Sequence, residues 1–252
     1  MNHITAGELD GKTALVTGAS SGIGAATAEA LAAEGASVSL AARRTNRLDE
    51  LAGRIEASGG EALAITTDVT EESDIETMIE TTTDAFGGLD VLVNNAGIML
   101  LAPVDRADAD DWRRMVSINL TGLMNATRAA LPALREDEAG HVVNISSDAR
   151  RGPGTGFGAY AATKAGVSTF AESLREEVAD DGVRVTTVEP GATDTELPDH
   201  ITDAAAKDEV EAAIESMHTL EPADVAAAVR YAVTQPPRVN VDELLVRPTD
   251  AG

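Results

Sequence analysis

The chain has no cysteine in 252 residues, which removes disulfides, thiol nucleophiles and Cys-based zinc sites at once. Histidine is nearly as scarce, and His3, His141, His200 and His218 are too scattered for a metal-ligand pattern. No apolar run approaches the roughly 18 residues of a membrane-spanning helix. The opening Met1-Asn2-His3-Ile4-Thr5 lacks the apolar stretch of a signal peptide. These absences predict a soluble, cytoplasmic protein without a metal.

Lysine is confined to Lys12, Lys164 and Lys207; the 19 basic residues face 43 acidic ones, for a net charge of −24. Such a surface repels nucleic acid and anionic membranes, so neither is an expected partner. It also repels itself at ordinary salt. At molar salt the Debye length falls to about 3 Å and the repulsion nearly vanishes. An acid-rich, lysine-poor composition fits a halophilic setting, with a merely acidic surface as the alternative. Hydrophobic residues, at 43%, suffice for a folded core, and the length fits one large α/β domain.

Short apolar segments alternate with longer helical patterns, the mark of a parallel sheet covered on both faces. Strands are expected at 13–16, 37–41, 62–66, 91–93, 141–145, 184–188 and 244–246. Helices are expected at 23–34, 47–58, 72–85, 109–134, 159–180 and 223–233. On the helix at 159–180, Ala162, Ala165, Thr169, Ser173 and Glu177 form a mostly small-residue face suited to packing between subunits. The segment 191–221 breaks the rhythm, with a weak helical stripe at Val210, Ala213, Ile214 and Met217. Residues 192–221 are therefore expected to form a lid beyond the sheet's carboxyl edge, a solvated insertion being the alternative. Trp112 is expected to pack its helix, His141 to pack or cap a strand, and His200 and His218 to be solvated.

Between the first strand and first helix stands Thr17-Gly18-Ala19-Ser20-Ser21-Gly22-Ile23-Gly24. Glycines at 18, 22 and 24 permit a tight turn and close approach by a pyrophosphate, which helix N-terminal amides then face. Farther on, Tyr160-Ala161-Ala162-Thr163-Lys164 sets a phenol and an ammonium four residues apart on one helix face. A free phenol has a pKa of about 10. A nearby positive charge is expected to lower it toward working pH, where it can serve as acid and base. Ser147, at the carboxyl end of the fifth strand, is placed to hold a substrate oxygen.

The spacing Thr-Gly-x-x-x-Gly-x-Gly resembles the short-chain dehydrogenase/reductase family, and the likeness runs over nearly the whole chain. Further matches are Asp68-Val69, Asn94-Asn95-Ala96-Gly97, Asn119, Ser146-Ser147, Tyr160-x-x-x-Lys164 and Pro190-Gly191. The resemblance implies a single-domain, doubly wound Rossmann fold with a seven-stranded parallel sheet in the order 3-2-1-4-5-6-7. It also implies a homotetramer built partly on the two long helices. Asn119, Ser147, Tyr160 and Lys164 are then the catalytic four, Lys164 also binding the nicotinamide ribose and Asn119 giving it a water-mediated proton path. Cofactor contacts are implied for Gly18, Ser20, Ser21, Gly22, Ile23, Gly24, Asp68, Val69, Asn95, Ala96, Gly97, Pro190, Gly191, Thr193 and Thr195. The Asn-Asn-Ala-Gly turn is expected to brace the central sheet.

NAD-binding relatives place an acid at the end of the second strand, where this chain has Ala42 followed by Arg43 and Arg44. A guanidinium grips a 2′-phosphate that an acid would repel, and Ser20 and Ser21 add donors. NADP(H) is the expected cofactor, NAD(H) the weaker alternative. The ending Pro236 to Thr249, with Glu189 and the Arg43-Arg44 pair, resembles a subgroup acting on short 3-hydroxy acids, serine-like compounds and varied alcohols. A small alcohol or carbonyl compound is the expected substrate. Arg150 and Arg151 either serve an acidic substrate or are solvated. Two alternatives stand beside this reading. One is a β-ketoacyl carrier-protein reductase, disfavoured by Glu136-Asp137-Glu138 and Asp180-Asp181; the other is a non-catalytic NADP(H)-sensing protein.

Overall fold

Strand β1 (Thr13–Thr17) shows how the sheet is built. All five residues are buried, with Ala14 and Val16 in one apolar layer and Leu15 in the other. A strand covered on both faces needs no polar alternation, so it reads as a continuous apolar run. The computed structural model describes residues 7–136 and 139–250. Met1 to Thr5, and Asp137 and Glu138 of the acidic run, lie outside the described residues.

The other strands are β2 (Ser37–Ala42), β3 (Glu61–Thr66), β4 (Val91–Asn94), β5 (His141–Ile145), β6 (Arg184–Pro190) and β7 (Glu243–Val246). Among the described residues they form one seven-stranded sheet in the order β3-β2-β1-β4-β5-β6-β7, all pairs parallel. Helices α1 (Gly22–Ala33), α2 (Thr45–Ala57), α3 (Glu72–Phe86), α4 (Ala109–Val116), α5 (Leu123–Leu134), α6 (Gly158–Glu177), α7 (Ala204–Glu215) and α8 (Pro222–Val233) cover the sheet and its carboxyl edge. Residues of α1, α2 and α8 share one apolar layer; those of α3, α5 and α6 share the other. The order reverses between β1 and β4, so a crevice opens at their carboxyl ends.

The expected helix at 109–134 is present, but Ser117–Gly122 between α4 and α5 is a wider π-helical turn. Gly122 lies so close to β3's outgoing loop that a side chain there would meet the Val69 carbonyl oxygen at 2.7 Å. The extra residue in the turn swings Asn119 inward, where it is buried. Trp112 does not pack its helix inward. Met115 fills that inner position, and Trp112 stands 37% exposed. His141 is buried with Nε2 2.8 Å from the Thr186 hydroxyl, a packing residue as expected, and burial holds its pKa well below the ordinary value.

The segment after β6 is closed at its neck. Leu220 donates to the Ala192 carbonyl and Asp194 to the Leu220 carbonyl, each at 2.9 Å, and Thr193 pairs with Leu220. Asp203 caps α7 and takes Arg106 at 3.0 Å. Ile201 and Ala206 of this segment pack with Ile98 to Leu101, Met115 and Tyr160 in a third apolar cluster. No helix among the described residues is long and apolar enough to cross a membrane.

Candidate active site

One cavity of about 750 Å³ follows the carboxyl edge of the sheet. At one end stand Ser20, Ser21, Arg43 and Arg44; at the other, Ser147, Tyr160 and Lys164. Gly18, Gly22, Ile23, Asp68, Val69, Asn95, Ala96, Gly97, Pro190, Gly191, Thr193 and Thr195 line the space between. Two expected site residues do not reach it, Gly24 and Asn119.

Gly24 sits behind the phosphate loop. A Cβ there would lie 2.4 Å from both the Asn95 amide nitrogen and the Gly18 carbonyl oxygen. It is a packing glycine, the third position of the motif where helix meets strand. Gly24→Ala is expected to destabilise the fold by about 1–3 kcal/mol through overpacking, read as a drop of several degrees in the thermal midpoint. Gly18 and Gly22 are the conformational glycines, with φ of +67° and +54°. No side chain caps the start of α1, so its first amides are free to meet an anion.

Asn95 spends its amide on the loop, donating to the Thr17 and Gly18 carbonyls at 3.0 and 3.2 Å. Asn94 donates to Thr127 and Asn144 at 2.9 Å. The Asn-Asn-Ala-Gly turn therefore braces β4 against its neighbours, as expected. At Asp68, burial opposes ionisation, yet the Thr70 amide and hydroxyl and the charge of Arg43 keep its pKa below the ordinary value.

Arg44 donates from Nε to Ser20 at 3.0 Å and from Nη2 to Ser21 at 2.6 Å. Its remaining nitrogen meets a carboxylate, Glu196, at 2.7 Å, and Arg47 meets the same carboxylate at 2.5 Å. Hydrogen bonds from both arginines hold Glu196 down to about 2. A guanidinium braced by two hydroxyls and already holding an anion fits a phosphate. Sequence reasoning missed Arg47 and Glu196. The partners are 149 residues apart in sequence, and nothing local marks them.

At the other end, Tyr160 and Lys164 are both buried. Lys164 does not hydrogen-bond the phenol. Its Nζ donates to the Ile145 carbonyl at 2.8 Å and stands 5.8 Å from the centre of the tyrosine ring. The expected lowering of the phenol pKa is therefore not what the chain itself produces. Burial pushes Tyr160 up to about 12, the Ser147 hydroxyl pulls the other way and the Asp148 carboxylate adds to the rise. Burial likewise takes Lys164 down to about 8.

Asn119 accepts from the Ile98 amide at 2.8 Å and donates to the Ile98 carbonyl at 2.9 Å and the Thr163 hydroxyl at 3.1 Å. It acts as a bracket between the π-helical turn, β4's outgoing loop and α6. A Cβ on Gly97 would sit 3.4 Å from the Asn119 oxygen and 3.6 Å from Lys164 Nζ. The missing side chain keeps the space between those two groups open.

Arg150 and Arg151 do not reach the substrate end of the cavity; Arg151 is exposed and Arg150 half-buried, and both are engaged by carboxylates. Both bond the fully buried carboxylate of Glu189, and both reach Glu243 on β7, at 2.8 and 2.7 Å. They staple β6 and β7 and do not line the cavity. Asp148, also unforeseen, does line it and accepts from Arg247 at 3.1 Å. Its pKa rises because burial outweighs that arginine. His200 stands at the rim of the cavity and is exposed, as expected; His218 is exposed too and pairs with Asp250 at 2.9 Å.

A doubly wound sheet with a glycine-rich first turn and a Tyr-x-x-x-Lys pair at its carboxyl edge defines a nucleotide-dependent α/β oxidoreductase. Residues 12–206 match the family model for short chain dehydrogenases, and the chain belongs to that family. Glycine betaine reductase ATRR of Emericella nidulans is 41% identical over 250 residues, 99% of this chain but 20% of that protein. The closed form of serine dehydrogenase complexed with NADP⁺ superposes with a TM-score of 0.86 at 34% identity, covering 93% of this chain and 94% of that one. An alcohol dehydrogenase from the archaeon Thermococcus sibiricus, complexed with 5-hydroxy-NADP, gives 0.85 at 29% identity, covering 94% and 97%.

Proposed function

We propose that this chain is an NADP(H)-dependent alcohol dehydrogenase or carbonyl reductase acting on a small molecule. One observation carries the reading: a single cavity joins an arginine and two serines fit for a 2′-phosphate to Ser147, Tyr160 and Lys164. The solved relatives that hold NADP⁺ or 5-hydroxy-NADP support the choice of cofactor. NAD(H) is the weaker alternative. When bound, the nicotinamide cofactor supplies or accepts the hydride.

The chain's residues divide the remaining work. Gly18, Ser20, Ser21, Gly22 and Ile23 hold the phosphates; Arg43 and Arg44 take the 2′-phosphate. Asp68 and Val69 flank the adenine. Asn95, Ala96 and Gly97 form the inner wall, and Pro190, Gly191, Thr193 and Thr195 meet the nicotinamide half. Ser147 holds the substrate oxygen and Tyr160 gives it a proton during reduction or takes one during oxidation. Lys164 binds ribose hydroxyls. Asn119 acts through position, fixing the loop and helix around Lys164. Residues 192–221 serve as the lid.

The phenol's raised pKa sets a pH dependence. A group held near 12 stays protonated at neutral pH and is ready to donate. Reduction is therefore expected to be nearly flat from pH 6 to 8. Oxidation needs the phenolate, whose fraction grows about tenfold per pH unit below the pKa. Initial rates in both directions across pH 6 to 10 check this.

The acidic surface leads to a second expectation. A net charge of −24 should weaken the fold at low salt, and molar KCl should relieve it. The thermal midpoint is expected to rise by 10 °C or more between 50 mM and 2 M KCl, read by calorimetry. We also read the exposed Trp112, Val116 and Met124 and the outward Ala162, Thr169 and Ser173 of α6 as contact faces of a homotetramer. Light scattering at molar salt tests that assembly.

A further inference from the structure

We infer that the substrate is an uncharged carbonyl or alcohol carrying an apolar group, and that hydroxy acids and oxo acids are excluded. This rests on the oxidoreductase reading and gives that site its substrate class. Beyond Tyr160 the cavity is walled by Met99, Leu101, Phe157 and Leu197, and by Val210 and Ile214 of α7. Of the stripe, Val210 and Ile214 are half-buried over the site, while Ala213 and Met217 stand exposed at its rim. A buried carboxylate needs a cation, and apart from His200, exposed at the rim, the cationic groups near this end are committed elsewhere. Arg150 and Arg151 are held by Glu189 and Glu243. Arg247 is held by Asp148 and Arg106 by Asp203, while Lys164 bonds a backbone carbonyl. Asp148 and Glu209 line the same space, so an anion would meet like charge.

The test uses matched pairs that differ in charge alone: 3-oxobutanoate with its ethyl ester, and 3-oxohexanoate with its ethyl ester. NADPH oxidation is followed in 2 M KCl, so that the protein's overall charge is screened. The ester is expected to exceed the acid at least 100-fold in kcat/KM. Ile214→Arg, which sets a cation among the lid's apolar residues, should raise the acid and narrow the gap tenfold or more. An acid turned over as well as its ester would overturn the substrate class while leaving the oxidoreductase reading intact. Turnover of neither member, on these pairs and on simple ketones and aldehydes, would overturn both.

A separate observation carries a second inference. We propose that Glu196 is a built-in competitor for the 2′-phosphate and so sets the affinity for phosphorylated cofactor. Its carboxylate bridges Arg44 and Arg47, and Arg44 is the residue whose other nitrogens are fixed by Ser20 and Ser21. Glu196 follows Thr195, whose side chain sits 3.1 Å from where a Cβ on Gly22 would lie. The base of the lid is thereby laid across the phosphate loop, with its anion in the phosphate's seat. A 2′-phosphate must displace that carboxylate from Arg44; a bare ribose hydroxyl need not.

Adenosine 2′,5′-bisphosphate and 5′-AMP probe this end alone, without any turnover. By calorimetry, Glu196→Gln should tighten the bisphosphate about tenfold and leave 5′-AMP within twofold. Unchanged or weaker bisphosphate binding in the variant would show that Glu196 orients Arg44, and would overturn the competition. Equal binding of the two nucleotides to the unaltered protein would overturn the 2′-phosphate seat itself.

Discussion

Tyr160→Phe is expected to lower kcat by a factor of about 10²–10⁴ in both directions while moving the Kd for NADPH by less than twofold. The substitution removes one oxygen from a ring that is buried among Ile98 to Leu101, Met115 and Ala206. The ring itself, with its packing, remains. Ser147, beside the phenol, still accepts from the Ala149 amide at 3.2 Å, and its own O–H, which loses the phenol oxygen as acceptor, lines the cavity and can turn to water there. The thermal midpoint should accordingly stay within about two degrees. What is lost is the proton the phenol carries. With the pKa raised to about 12, that proton is present at neutral pH, and no other acid of the cavity stands beside Ser147 except Asp148, which is engaged by Arg247. Retention of more than a tenth of the unaltered rate would remove Tyr160 from the proton step. Loss of NADPH binding together with rate would point to a folding defect, and the thermal midpoint separates the two.

Most of the scaffold was legible because its signals are local. The seven strands are short apolar runs flanked by glycine and polar turns, and each lies within two residues of its expected bounds. The phosphate loop is a contiguous motif, recognisable without the distant residues that pack on it, Asn95 and Thr195 among them. The misses share a physical origin. Spacing put Tyr160 and Lys164 on one face of α6, but the direction of the ammonium is set by the Ile145 carbonyl on another element. The staple of Arg150 and Arg151 to Glu189 and Glu243 spans up to 93 residues, and a pair of loop arginines carries no trace of it. The π-helical turn at Ser117–Gly122 arises where Gly122 meets Val69, a contact between distant segments that helical periodicity does not record. Gly24 was recognised as part of the motif, yet its distance from the cavity depends on how α1 docks against Asn95. Periodicity and motif spacing locate elements; the aim of a long side chain is decided by partners elsewhere in the chain.

Ala42→Asp should reverse the cofactor preference. Ala42 ends β2 beside Arg43 and Arg44 at the mouth of the cavity, and its carbonyl accepts from the Thr67 amide at 3.0 Å. The backbone there is ordinary strand, so an aspartate side chain fits without strain and projects where the ribose of the cofactor is expected. Two like charges about 4 Å apart at an effective dielectric near 20 repel by about 4 kcal/mol, and a 2′-phosphate carries nearly two charges. The carboxylate would also draw Arg44 away from the phosphate. NADPH is therefore expected to weaken by about 10²–10³-fold, while NADH gains severalfold from a new acceptor for the ribose hydroxyls. Salt distinguishes direct contact from long-range field. At 2 M KCl the Debye length is below about 3 Å, which removes the influence of the surrounding acidic surface but leaves groups in contact. A preference that still reverses in 2 M KCl places the new carboxylate against the ribose. An unchanged NADPH-to-NADH ratio at both salt concentrations would show that the end of β2 does not read the 2′ position, and the 2′-phosphate seat assigned to Arg43 and Arg44 would then be wrong.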